Sequence, residues 1–200
     1  MAPHMVLEEL SVDFELIKVD RKSNAQHSAD YLALNPLGRI PTLISGELVQ
    51  FESPAICIQL AENHSQANLI PAIGDKDRPL FFQWMMYLTN TLQAELMIYF
   101  YPDRYNTDKM ASADMLVRQE NRITDMLAVL DKELSTMPFL AGENISVCDH
   151  YLFMLCVWAD EFKQPPLAFK YLGAYLKKLA KRAAIIKVCQ KENLSLSSYQ

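Results

Sequence analysis

The chain has 200 residues and a net charge of -5; half of its residues are apolar and 22% are charged. This is material for one large domain or two small ones with a sizeable core, in the range of ordinary globular proteins. The acidic balance and the lack of basic runs interleaved with aromatics argue against a nucleic-acid partner, and no stretch is apolar for long enough to span a bilayer.

The first residues, "APHMVLEEL", read as a helix with Pro3 in its first turn, where a missing N–H costs little. No signal-peptide pattern opens them. "DFELIKVD", residues 13–20, is rich in bulky side chains and reads as a strand. "SADYLALN" reads as a short helix ending at Asn35-Pro36, because a residue before proline avoids the helical region. Thr42 to Ile44 and Leu48 to Phe51 form two strand-like runs around Ser45-Gly46, a hairpin. From Ser53 the apolar residues Ile56, Leu60 and Ala61 recur at helical spacing.

Residues 63–78, with Pro71 and Gly74 and little periodicity, read as a connector. Beyond them nothing resembles a strand. Helices are expected over Pro79–Tyr101, stopped by Pro102, over Thr107–Leu134, over "SVCDHYLFMLCVWADEF", and once or twice within 167–193. The last residues, "SLSSYQ", read as a loose tail. The order is a small α/β unit at 1–66, a linker at 67–78 and an all-helical unit at 79–200. Lys177, Lys178, Lys181 and Arg182 fall near helical spacing and read as a solvated face. Cys57, Cys148, Cys156 and Cys189 form no C-x-x-C and sit in apolar helical patterns. They read as buried reduced thiols, which favours a reducing cytoplasm and no metal site.

The chemistry concentrates in "GRIPTLISGELVQFESPAI". Ser53 suits an N-cap and Pro54 the first helical position, so the helix starting there offers free N–H groups and a positive dipole end to a carboxylate. Glu52 can accept from an ammonium. Together they suit the two ends of an α-amino acid, although Ser53-Pro54 can also be a cap and no more. Ile40-Pro41, before a strand, is a candidate cis peptide that leaves backbone N–H and C=O groups free to pair with an extended ligand. A short peptide fits such a hairpin.

"NPLGRIPTL", "FESPAICIQLAE" and "FLAGENISVCDHYLF" resemble the glutathione S-transferase superfamily, and "APHMVLEELSVDFELIKVD" resembles the first helix and second strand of its bacterial members. The resemblance covers essentially the whole chain. It implies an α/β thioredoxin-like N-terminal domain followed by an all-α C-terminal domain, a homodimer, and glutathione as co-substrate. The implied reaction is attack of the glutathione thiolate on a small apolar electrophile at the interdomain cleft. A non-catalytic binding or regulatory member, or a glutathione-dependent isomerase or reductase, stays open, because this fold hosts several chemistries.

Residue by residue, the resemblance implies that Ile40 pairs its backbone with the cysteinyl part, Pro41 holds the cis turn, and Glu52 and Ser53 hold the γ-glutamyl end. Arg39 would contact the glycyl end, and Asn90 either faces the site or is a helix-surface amide. Ser146 and Asp149 would form a capping box for the buried helix. Two departures stand out. The family's first strand and the Cys, Ser or Tyr near its end are absent, so the catalytic residue is unknown and expected upstream of Met1. With that strand missing, residues 1–35 are expected to be displaced, swapped or poorly ordered. His4 reads as covering its helix. The His-Lys pair of beta-class members aligns with Met97-Ile98, and Tyr99, Tyr101 and Tyr105 beyond it either line a substrate pocket or belong to the core.

Overall fold

Pro3 opens helix α1, Ala2–Leu10, in a computed structural model that describes residues 1–105 and 109–200, with the backbone alone over 109–113. Ala2, Met5 and Val6 of α1 are fully buried, so this helix is part of the core and is not displaced. Residues 12–20 correct the strand expected at "DFELIKVD": they form no strand, and Leu16 and Ile17 are exposed. Among the described residues no neighbouring strand meets this backbone, and a strand has no existence without its ladder.

Ser28 caps α2, Ala29–Leu34, by accepting from the Tyr31 N–H at 3.2 Å. Strands β1, Thr42–Ser45, and β2, Leu48–Phe51, pair antiparallel, with Thr42 opposite Phe51 and Ser45 opposite Leu48. The turn is therefore Gly46-Glu47, one residue later than Ser45-Gly46, and Gly46 supplies the positive φ of 59° that a two-residue hairpin needs. Helix α3, Ser53–Asn63, follows at once and buries Ile56, Cys57, Leu60 and Ala61.

The expected 79–101 helix divides into α4, Arg78–Met86, a π-helical segment over Tyr87–Gln93, and α5, Ala94–Phe100. Within the segment Thr89 turns its hydroxyl back to the Met85 carbonyl at 2.9 Å, a bond that competes with regular helix geometry. Helix α6 spans Lys109–Glu133 and buries Ile123, Leu127 and Leu130; the start expected at Thr107 lies outside the described residues. Helix α7, Val147–Trp158, is buried on every side from Val147 to Cys156 and forms the centre of the helical half. Helices α8, Lys170–Leu179, and α9, Ala183–Lys191, complete it.

The start of α7 is built on Asp149, which is fully buried. Its carboxylate accepts from the Ser146 N–H at 2.7 Å, the Leu140 N–H at 2.9 Å and the Tyr175 hydroxyl at 2.6 Å. Ser146 returns its hydroxyl to the N–H of Cys148 at 3.3 Å, giving a reciprocal capping box. The α1 face is tied to the helical half by ion pairs of Glu9 with Arg182 and of Glu8 with Lys187 and Lys191, and by a 3.4 Å hydrogen bond between Glu9 and His150. The C-terminal residues are not a loose tail. Tyr199 is 1% exposed and stacks on Phe153 of α7 with ring centroids 5.3 Å apart.

Candidate functional site

The register of the hairpin decides where the chemistry-bearing residues meet. Thr42 faces Phe51, so Pro41, one residue before, and Glu52, one residue after, flank the open end of the ladder. The two segments singled out in the sequence are therefore neighbours in space, at the separation of paired strands.

Ile40–Pro41 is a cis peptide. The loop before it is locked from behind: the Arg39 carbonyl accepts from the Tyr31 hydroxyl at 2.8 Å and from the Asn35 amide at 2.7 Å. Asn35 is 1% exposed and also accepts from the Leu37 N–H at 3.1 Å. Gly38 adopts φ 58° and leaves no room for a Cβ against the His27 ring, so only glycine fits there. These supports leave Ile40 exposed, and among the described residues neither its N–H nor its C=O is hydrogen-bonded. Tyr31 and Asn35 were missed as positioning residues; Asn-Pro marked a turn, but nothing in it revealed the donor to Arg39.

On the other segment, helix α3 begins one residue earlier than expected. Glu52 is its N-cap and Ser53 its first helical residue, with the Ile56 N–H donating to the Glu52 carbonyl at 3.0 Å. Ser53 is thus not the cap, and its hydroxyl has no hydrogen bond among the described residues. Glu52 adopts φ 71°, ψ 107°, a conformation that costs a non-glycine residue roughly 1–3 kcal/mol, and its side chain is exposed. The first N–H groups of α3 lack intrahelical acceptors and face the same end. Arg39 is exposed beside this ledge. Asn90 is exposed, and its amide donates to Sδ of Met86, the last residue of α4, at 3.7 Å.

His4 is buried, with Nδ1 3.0 Å from Glu192 of the loop after α9, and Nε2 without a hydrogen-bond partner. The cysteines are all buried thiols. Burial pushes Cys57 up to about 12 and Cys189 up to about 11, and raises Cys148 and Cys156 well above the usual range. None of them is a thiolate at neutral pH, so a reactive sulfur at this site has to arrive with a ligand. Among the described residues no cluster of three or more His, Cys, Asp or Glu could hold a metal ion, and no helix is long and apolar enough to cross a membrane.

Around the C-terminal end of α5, Tyr99 packs on Phe162 with centroids 4.6 Å apart, Tyr101 accepts from Arg21 at 3.1 Å, and Tyr105 is 58% exposed. Of the three tyrosines, Tyr99 alone lines a cavity of about 350 Å³, which none of Arg39, Ile40, Pro41, Glu52 and Ser53 lines.

Residues 1–62 match the family model of the glutathione S-transferase N-terminal domain, and 88–183 that of its C-terminal domain. The chain is 25% identical to glutathione S-transferase GstA of Escherichia coli O157:H7, over 97% of this chain and 94% of that protein. It is 31% identical to a sphingomonad glutathione S-transferase solved with glutathione, covering 97% of this chain and 94% of that one at a TM-score of 0.83. The chain belongs to the glutathione S-transferase family. A glutathione transferase homologue from Sulfitobacter, 24% identical, shares the fold at a TM-score of 0.87 over 96% of this chain and 93% of its own. The two-stranded sheet with its helices is thus the family's thioredoxin-like N-terminal unit, followed by its helical one.

Proposed function

We propose that this family member is a glutathione transferase that joins the glutathione thiolate to a small apolar electrophile. Residues 1–66 form the glutathione-binding unit, 67–78 the linker and 79–200 the helical unit, and the reaction takes place in the cleft between them. The protein works in the cytoplasm as a homodimer.

The observation that carries this reading is the pairing of an unbonded Ile40 backbone with the Glu52–Ser53 helix start at the open end of one hairpin. The cysteinyl part of glutathione lies along Ile40 as a short added strand, taking the N–H and C=O that the cis Pro41 turn leaves open. The γ-glutamyl carboxylate meets the Ser53 hydroxyl and the positive end of α3, while its ammonium meets the Glu52 carboxylate. Arg39 pairs with the glycyl carboxylate. Holding the tripeptide at both ends fixes the sulfur in one place, so the electrophile meets an oriented thiolate rather than a diffusing one.

Purified protein is assayed for conjugation of glutathione to an aryl halide and, separately, for retention on immobilised glutathione. Turnover with retention is expected. Retention without turnover replaces this reading by a non-catalytic glutathione-binding member, and loss of both removes glutathione from the account.

A further inference from the structure

The 350 Å³ cavity near the end of α5 has an unusual lining for a pocket meant only for neutral apolar molecules. Its walls include four aromatic rings, Tyr99, Phe100, Trp158 and Phe162, and its remaining charged members are Asp160 and Glu161. Among the described residues no Lys, Arg or His side chain lines it, and neither carboxylate has an ion-pair partner. Three of the rings pack together: Phe162 is 5% exposed and lies against both Tyr99 and Phe100, with centroids 4.6 and 6.5 Å away.

We infer that this cavity is a binding site for an apolar organic cation, an ammonium carried on an aryl or alkyl body. Ring faces carry negative quadrupole charge and attract a positive nitrogen, which offsets part of the desolvation cost that aliphatic walls would leave uncompensated. Two adjacent carboxylates, with no lining cation among the described residues, add attraction of the same sign. The tail forms one side of the site, since Leu194 and Ser195 line it and Tyr199 anchors the segment to Asp160. The environment is consistent with an unfilled demand for positive charge. Burial holds the Asp160 carboxyl above its usual range despite the Tyr199 hydrogen bond, and Glu161 adds to the rise. Likewise, burial raises the Tyr99 phenol, with Glu120 and Glu161 contributing. An anionic ligand is disfavoured for the same reasons. None of Arg39, Ile40, Pro41, Glu52 and Ser53 lines the cavity, so binding of a cation there can be measured without glutathione.

The test is calorimetric titration of the full chain without glutathione, using 4-phenylbutyltrimethylammonium, its neutral tert-butyl isostere and the 4-phenylbutyrate anion. The cation is expected to bind about ten-fold tighter than the neutral isostere, with the anion weakest. Glu161 is exposed, so Glu161→Gln leaves the fold intact; it should cut the preference for the cation several-fold and leave the neutral isostere unchanged. Trp158→Ala should weaken both ligands. Equal affinity for cation and isostere, no binding of the cation, or an undiminished preference in Glu161→Gln overturns the proposal. Each of these results leaves aryl-halide conjugation to be judged by its own assay.

Discussion

The Tyr199 hydroxyl lies 2.6 and 2.8 Å from the two carboxylate oxygens of Asp160, joining the last residues of the chain to the segment that follows α7. Tyr199 is otherwise surrounded by apolar side chains, and burial together with Asp160 drives its phenol upward, so it stays a donor. Asp160 is half-buried, so removing that donor from its carboxylate costs about 1.5 kcal/mol, the lower end of the range for hydrogen bonds to charged groups. Tyr199→Phe keeps the ring stack on Phe153 and deletes only the bond. Urea unfolding should show a loss of that size, with faster amide exchange at residues 194–200. A change below about 0.5 kcal/mol would mean the bond is not formed in solution.

Ser53→Ala separates a cap from a ligand contact. Ser53 is the first helical residue and its hydroxyl is unused by the protein, so its removal should alter stability by less than about 0.5 kcal/mol. If the hydroxyl meets the γ-glutamyl carboxylate, the charge-assisted bond is worth about 1.5–3 kcal/mol, roughly a ten-fold or greater rise in Kd for glutathione. Titration and thermal melting of the same preparation check both halves. An unchanged Kd removes Ser53 from the site.

Glu52→Gly should move stability and binding in opposite directions. The residue sits at φ 71° with its carboxylate exposed. Glycine relieves the backbone strain and offsets the lost favourable charge at the helix start, for a net gain of up to about 1 kcal/mol. The same change removes the acceptor proposed for the ligand ammonium, so glutathione affinity should fall by about ten-fold or more. A variant that is more stable and binds glutathione as before shows that the strain serves no ligand.

The helices were legible where periodicity met a punctuating residue: Pro3, Asn35-Pro36, Pro54 and Ser146 all lie within a residue or two of an observed helix end. Alternation and a glycine marked the hairpin, but the turn slipped by one residue because Ser45 continues the ladder opposite Leu48. "DFELIKVD" has strand composition without a strand, since composition describes side chains and a ladder requires a partner backbone. The tail was misread for the opposite reason. "SLSSYQ" is polar in composition, and one aromatic residue with one distant carboxylate was enough to fold it back. At the candidate site the residues proposed to face the ligand carried local signals, whereas Tyr31 and Asn35 act through a carbonyl eight and four positions away, which no local pattern encodes.

Acid should loosen the seam between α1 and the helical half through Glu9. Burial by itself would raise this carboxyl, but hydrogen bonds and ion pairs with His150 and Arg182 more than offset that, bringing it from 4.5 down to about 2. A carboxyl whose pKa is lower in the folded state stabilises the fold wherever the unfolded chain would bind the proton first. The contribution is therefore complete above pH 4.5 and is lost as the pH falls toward 2. Its size is up to about 3 kcal/mol, at 1.36 kcal/mol per unit. Glu9→Gln keeps the shape of the side chain and removes the titration. The difference in unfolding free energy between the two proteins should be largest at neutral pH and shrink steadily below pH 4.5. A difference that stays constant down to the acid limit would show that Glu9 acts by packing alone, and that Arg182 and His150 do not hold its charge.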